Sequence, residues 1–240
     1  MKEKMRCAKC NVRACTVDAS GHRYSGEAPS WCPMKAKADV IKQAMAKYTD
    51  KNRKIAHTAA VVESEAYLRE PRGLKPFATR VLEIINFAKK MEYKKIGIAC
   101  CFAGVWDARV LANIFLNRGF SVLVRLCKVL EVKNTKFLDL KDEETLVPGG
   151  FQSMCNPIAQ VDCLKDSGCD LIVVFGECTG HDALAAKFSQ VPLTFLGVKD
   201  RVLAHNPVVA VTCPWNQYYR KLTRKEPLEI VKVGGHYRSY

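Results

Sequence analysis

The apolar positions change period along the chain. From Pro33 onward, Ala36, Val40, Ile41, Ala44 and Met45 fall on one helical face, and Pro33 suits the first turn of that helix. A second helix is predicted over 54–69, ended by Pro71-Arg72-Gly73, and a third carries Val81, Leu82, Ile84, Ile85 and Phe87. From Lys95 the pattern alternates between short apolar runs and amphipathic stretches. Strands are predicted over 95–100, 120–126, 170–175 and 191–198, and helices over 107–118, 157–165 and 181–188. Gly119 and Gly168 act as helix stops, and the acidic run Asp142-Glu143-Glu144 lies in a surface connection over 131–151.

Strands such as Leu171-Ile172-Val173-Val174-Phe175 show no polar alternation, which is the pattern of a parallel sheet buried on both faces. The fold class read from this is α/β: a doubly wound, mostly parallel, Rossmann-like sheet over 76–240. Ahead of it lie a helical segment over 33–75, packed on the core, and a Cys-rich metal-binding module over 1–32. That first module is poor in apolar residues and reads as loop at Ala19-Ser20-Gly21 and Ser25-Gly26.

Composition sharpens this picture. The chain has 240 residues and 12 cysteines. A chain of that length buries a full core without covalent staples. No run approaches the length of a membrane span, and the charged start, Met1 to Cys10, has no apolar signal core. A cytoplasmic location is therefore expected, where cysteines point to metal or redox chemistry rather than disulfides. The net charge is +14, divided into +8 over residues 1–57 and +6 over the rest. Thiolate metal centres are locally anionic, so basic residues around the N-terminal cysteines explain the excess better than nucleic acid does. The charge has no recognition helix or aromatic platform with it. The tail adds Arg220, Lys221, Arg224 and Lys225, with Tyr218, Tyr219 and Tyr237 nearby, and Gly234-Gly235.

Two cysteine sets carry candidate chemistry. Cys7, Cys10, Cys15 and Cys32 form C-x2-C-x4-C-x16-C followed by Pro33. Four sulfurs at such spacing suit a [4Fe–4S] cluster, with tetrahedral zinc as the alternative. The second set lies at strand ends, where ligands of parallel α/β sheets bind. Cys101 ends one predicted strand, Cys155 precedes Asn156-Pro157 at a helix head, and Cys178 follows the strand ending at Phe175. Each stands at a loop-to-helix entry, which favours the thiolate. Three thiolates can hold a second cluster and leave a position open to a small sulfur-containing or anionic substrate, or serve electron transfer. His181 is the candidate proton carrier, while Asp182 suits the helix N-terminus. Cys127, Cys163, Cys169 and Cys213 read as packing residues, and His205 as a satisfied loop histidine. A redox pair at Cys100-Cys101 is disfavoured, because adjacent cysteines bridge only with backbone distortion. Dinucleotide, P-loop, zincin and serine-hydrolase motifs do not occur.

The chain resembles the cysteine-rich bacterial and archaeal family called domain of unknown function 1847. The matching stretches are Cys7-x2-Cys10 with Cys15 and Cys32-Pro33, Lys95-Ile-Gly-Ile-Ala-Cys100-Cys101, Cys155-Asn-Pro-Ile-Ala-Gln160, Gly176-Glu-Cys178-Thr-Gly-His-Asp182, and Val198 through Pro207. The resemblance implies metal binding, favours Cys101 over Cys100, and brings Asp200 and His205 into consideration. The three-thiol reading is similar in site type to cluster-dependent desulfidases, an analogy that suggests a lyase or redox enzyme. The other functional class is a non-enzymatic zinc-bound regulatory module with a basic face for a partner or nucleic acid. In the first class the partner is a small molecule or a redox protein, with no membrane.

Overall fold

The computed structural model describes residues 7–17, 21, 22, 24, 26–71, 73–213, 215, 216, 222, 230–233 and 236–239. Ala19, Ser20, Ser25 and Arg72 lie outside the described residues. So do the tail residues Tyr218, Tyr219, Arg220, Lys221, Arg224, Lys225, Gly234 and Gly235. The chain divides into two units, Met1–Ser64 and Glu65–Tyr240.

In the first unit Cys7–Lys9 forms a single 3-10 turn. The helix predicted from Pro33 is two pieces, α1 (Pro33–Ala36) and α2 (Ala38–Met45). The break falls at Lys37, whose φ of −135° leaves the helical region. Pro33 occupies the first turn of α1, where a missing N–H costs nothing. The next helix, α3, runs Asp50–Glu65.

Here one expectation is corrected. The helix predicted to reach residue 69 stops at Glu65, and a hairpin follows, β1 (Tyr67–Glu70) and β2 (Gly73–Pro76), paired antiparallel. Pro71 follows β1 and Gly73 opens β2 rather than ending a helix, and Gly73 takes a φ of +124° that other residues avoid. All four residues of β1 are exposed. They therefore carry no alternating pattern from which a strand could be read.

From Arg80 to Val198 the second unit follows the predicted alternation, apart from a short helix in the stretch read as a connection. Helix α4 (Arg80–Lys90) begins at Thr79, whose hydroxyl oxygen accepts from the Leu82 N–H. There follow β3 (Lys95–Cys100), α5 (Val105–Leu116), β4 (Ser121–Leu126), the short α6 (Asn134–Phe137), α7 (Pro157–Asp166), β5 (Leu171–Glu177), α8 (Thr179–Phe188), β6 (Leu193–Val198) and α9 (Val208–Thr212). A final antiparallel pair is β7 (Ile230–Val233) and β8 (His236–Ser239).

The central sheet has four parallel strands in the order β4-β3-β5-β6. The parallel α/β fold read from the sequence is therefore present. Alternation along the strands separates two cores. Ile96, Ile98 and Cys100 of β3 and Leu171 and Val173 of β5 pack with Ile84, Ile85 and Ala88 of α4 and Ala108, Leu111 and Phe115 of α5. Ala99, Ile172 and Val174 pack with Val161 and Leu164 of α7 and Ala185 of α8. Gly97 allows α7 to come close: a Cβ there would lie 3.0 Å from the Leu164 side chain.

The winding reverses at β3. From β3 the chain crosses to β4 on one side, then returns to place β5 on the other. In such sheets the crevice at the carboxyl ends of the two strands flanking this reversal is where ligands bind. The strands concerned end at Cys100 and Glu177.

Candidate functional site

Cys101 directly follows β3 and caps the 3-10 turn Phe102–Gly104 that leads into α5. Its neighbour Cys100 points into the core and is fully buried, and burial, with the charges of Glu177 and Cys101, pushes that thiol up to about 12. The vicinal pair is thus divided between core and site, as strand alternation requires. Cys100 therefore belongs to the core, and Cys101 stands at the strand-end edge.

The residue that sequence reasoning missed is Cys127. Parallel register pairs Cys100 with Leu126, so Cys127 stands beside Cys101 one step beyond the strand ends. The Cys127 N–H donates to the Cys100 carbonyl at 2.9 Å, and Cys127 Sγ accepts from the Phe102 N–H at 3.4 Å. Cys155 is brought to the same place by the Asn156 N–H, which donates to the Cys127 carbonyl at 2.8 Å. Asn156 then caps α7 through its Oδ1, which accepts from Ala159.

Cys127 stands close enough to Cys101 and Cys155 for its interaction with them to dominate the proton affinities of all three. That interaction, helped by Lys199 and opposed by burial, holds Cys101 down to about 4. The same kind of interaction with Cys127, with Lys128 and the charge of His181, brings Cys155 down to about 5. Cys127 keeps its proton, because its interactions with Cys101 and Cys155 push its thiol well up. One protonated thiol between two thiolates is the resulting arrangement.

Cys178 lies on the same edge, as the residue preceding α8, and its carbonyl accepts from the His181 and Asp182 N–H groups at 2.8 Å. Its Sγ receives Arg201 Nη2 at 3.4 Å. Lys199, at the end of β6, donates to Cys101 Sγ. Burial alone would lower the Lys199 ammonium, but the bond and charge of Cys101, with Cys178, raise it. Cations therefore stand beside all three sequence-predicted thiols: Lys199 at Cys101, Lys128 at Cys155 and Arg201 at Cys178.

Glu177 is the second residue the sequence did not single out. β5 runs on to Glu177 through a register irregularity, with Gly176 at a φ of +67°. Glu177 is 1% exposed. Its Oε1 accepts from Gln160 Nε2 at 3.2 Å, and the same Nε2 lies 3.1 Å from the Cys100 carbonyl and 2.9 Å from the Arg125 carbonyl. Gln160 thus ties together the ends of β3, β4 and β5. Burial pushes the Glu177 carboxyl up to about 7, against the pull of the Gln160 bond. Burial also raises Asp182 to about 6.

Four buried polar atoms here have no hydrogen-bond partner: Gln160 Oε1, Glu177 Oε2, His181 Nδ1 and Asp182 Oδ1. His181 Nδ1 and Glu177 Oε2 are 3.9 Å apart, too far for a direct bond. Unpaired buried atoms cost free energy, and these four are concentrated at the strand-end crevice.

Metal binding, which the family resemblance implies, can be tested against these residues. Thiols held without protons beside an unpartnered carboxylate oxygen and an unpartnered ring nitrogen are donors suited to a soft cation. They fit in chemistry. As they stand they form no closed shell: among the described residues, no group of three or more His, Cys, Asp or Glu is gathered to hold a metal ion.

The same holds for the N-terminal set. Cys7 and Cys15 are exposed, while Cys10 and Cys32 are half-buried. Cys10 N–H donates to Cys7 O at 3.2 Å, and the Cys32 carbonyl accepts from Lys35 and Ala36 at the start of α1. His205 and Asp200 build their own loop: Asp200 Oδ1 accepts from Val202 and Leu203, and the His205 N–H donates to the Asp200 carbonyl. The Asp200 N–H also donates to His205 Nδ1 at 3.2 Å, so the ring is engaged within this loop.

A parallel α/β protein with a thiol cluster at the reversal of its sheet is the class defined by these features. Residues 32–196 match the family described as protein of unknown function (DUF1847), and the chain belongs to that family. The matched stretch contains Cys101, Cys127, Cys155, Glu177 and Cys178, and begins after Cys7, Cys10 and Cys15. The chain is also 36% identical over 218 residues to an uncharacterized protein of Methanocaldococcus jannaschii, MJ0455, covering 90% of this chain and 97% of that one. No helix among the described residues is long and apolar enough to cross a membrane.

Proposed function

We propose that the protein binds a soft metal centre at the carboxyl edge of its parallel sheet. Cys101, Cys155 and Cys178 are the thiol donors, and Cys127 stands among them. The observation that carries this reading is the pair of thiols held deprotonated at the sheet's reversal beside buried, unpartnered Glu177 Oε2 and His181 Nδ1. A [4Fe–4S] cluster is the centre we assign there. A second centre falls to Cys7, Cys10, Cys15 and Cys32, as a cluster or as zinc.

When bound, such a centre supplies a Lewis acid with a position open to substrate. The chain's own residues supply the rest. Lys199 and Arg201 favour an anionic substrate, sulfur-containing ones included, because the edge then holds cations no longer engaged by thiolates. His181 moves a proton at its Nδ1, with Glu177 Oε2 3.9 Å away. Gln160 holds the Glu177 carboxyl in place through Oε1.

Anaerobic purification with iron, acid-labile sulfide and zinc analysis tests the proposal. Iron and sulfide should be found, with visible absorption, and Cys101→Ala and Cys155→Ala should each remove the same increment of iron. Cys100→Ala should keep it. Colourless protein without iron after anaerobic reconstitution defeats the cluster, and absence of zinc as well defeats metal binding.

A further inference from the structure

The thiol cluster also has a metal-independent chemistry. We propose that Cys101 and Cys127 are a redox-active dithiol, an oxidation site that a small peroxide closes to a cross-strand disulfide. The proposal stands apart from the metal reading, since it concerns the metal-free protein.

The geometry comes from the register. Cys100 pairs with Leu126 in parallel strands, so Cys101 and Cys127 are the next residues on adjacent chains. Neighbouring strands stand about 4.8 Å apart. Disulfides need a Cα separation of about 4.4–6.8 Å, so the pair can close without moving the sheet. The bond from the Phe102 N–H sets Cys127 Sγ against the backbone that follows Cys101. Cys100 cannot compete, because its side chain belongs to the core on the other side of the strand. The Lys199 ammonium, donating to Cys101 Sγ, marks Cys101 as the attacking sulfur.

Access selects the oxidant. Cys101 is 8% exposed and Cys127 1% exposed, so a bulky disulfide such as glutathione disulfide is excluded and a peroxide is admitted. In the first step the Cys101 thiolate attacks one peroxide oxygen. A sulfur–oxygen bond forms, the oxygen–oxygen bond breaks, and hydroxide leaves, so that Cys101 becomes a sulfenic acid. In the second step the Cys127 sulfur attacks the sulfenic sulfur. The sulfur–sulfur bond forms, the sulfur–oxygen bond breaks, and the oxygen leaves as water with the Cys127 proton. The two sulfurs together lose two electrons, which the peroxide accepts. A thiol reductant reverses the bond.

The test uses the full chain, stripped of metal by a chelator under reducing, anaerobic conditions and treated with one equivalent of hydrogen peroxide. After alkylation and trypsin digestion, the peptide from Ile96 to Arg109 should be found joined to the peptide from Leu126 to Lys128, lighter by two hydrogen atoms, and dithiothreitol should separate them. Fragmentation assigns the link to Cys101 rather than Cys100. Cys178→Ser should form the same link. Finding Cys101 joined to Cys155, or carried on to sulfinic acid with Cys127 still alkylated, overturns the proposal. So does loss of thiols confined to other cysteines. Because the wild-type peptides decide the matter, poor folding of a variant leaves the result readable. A protein that binds no iron or zinc yet forms this link refutes the metal reading alone.

Discussion

Replacing Glu177 by Gln removes a buried negative charge and keeps the shape of the side chain. The carboxyl is 1% exposed and is raised from 4.5 to about 7, first by burial. Its pKa is higher in the folded than in the unfolded chain, so the folded state binds the proton more tightly. Stability from this group is therefore undiminished below 4.5, falls as pH rises through the interval, and is lowest above about 7. At about 1.4 kcal/mol for each tenfold change in equilibrium, the full penalty has a ceiling of about 3 kcal/mol. Water at the partly open thiol edge screens the charge and brings the expected effect to on the order of 2 kcal/mol. Glu177→Gln should thus gain about 2 kcal/mol over the wild type on going from about pH 4 to about pH 8. Urea unfolding of metal-free, fully reduced protein at the two pH values measures it. The amide can still accept from Gln160, so the local tie is kept. An equal difference at both pH values, or a variant that loses ground at the higher one, would refute the reasoning. A gain would also mean that the native chain bears a stability cost at this position, as residues retained for chemistry do.

Three further outcomes follow from the same geometry. Gln160→Leu leaves the Glu177 carboxyl and the Cys100 and Arg125 carbonyls without their shared donor, and should lower stability by about 3 kcal/mol in denaturant unfolding. Cys155, half-buried and held down to about 5, should be alkylated by iodoacetamide at about pH 6 in the native, metal-free chain, whereas Cys100, buried and near 12, should not. Lys128→Met should slow the Cys155 reaction at that pH and leave it unchanged near pH 9, read by mass spectrometry of the alkylated peptides.

The two inner strands of the central sheet were legible because β3 and β5 are apolar on both faces. A run such as Leu-Ile-Val-Val-Phe has no other economical home than a sheet covered on both sides. The hairpin at Tyr67–Glu70 was not legible, since every residue of that strand is exposed and the preceding helical pattern runs into it. Cys101, Cys155 and Cys178 could be named from their places at the heads of helices. Lys199 and Arg201 stood in the quoted stretch at the end of the last strand, but nothing in the letters linked them to particular sulfurs.

Cys127 and Glu177 separate what the chain order determines from what the fold decides. Apolar period, helix starts and the positions of the cysteines are local properties, and they determined a parallel α/β protein with thiols at its strand ends. Cys127, taken alone, follows an apolar strand and is 1% exposed, which is how a packing cysteine looks. Its role comes from standing across from Cys101 in register, and register depends on which strands become neighbours. Glu177 reads as a loop carboxylate until β5 continues through Gly176 and carries it into the interior. There low exposure and nearby thiolates alter its charge state. Charge and proton affinity depend on distance and burial rather than on order along the chain. For that reason only the tertiary structure turned separate cysteines into a cluster of two thiolates, one thiol and a buried acid.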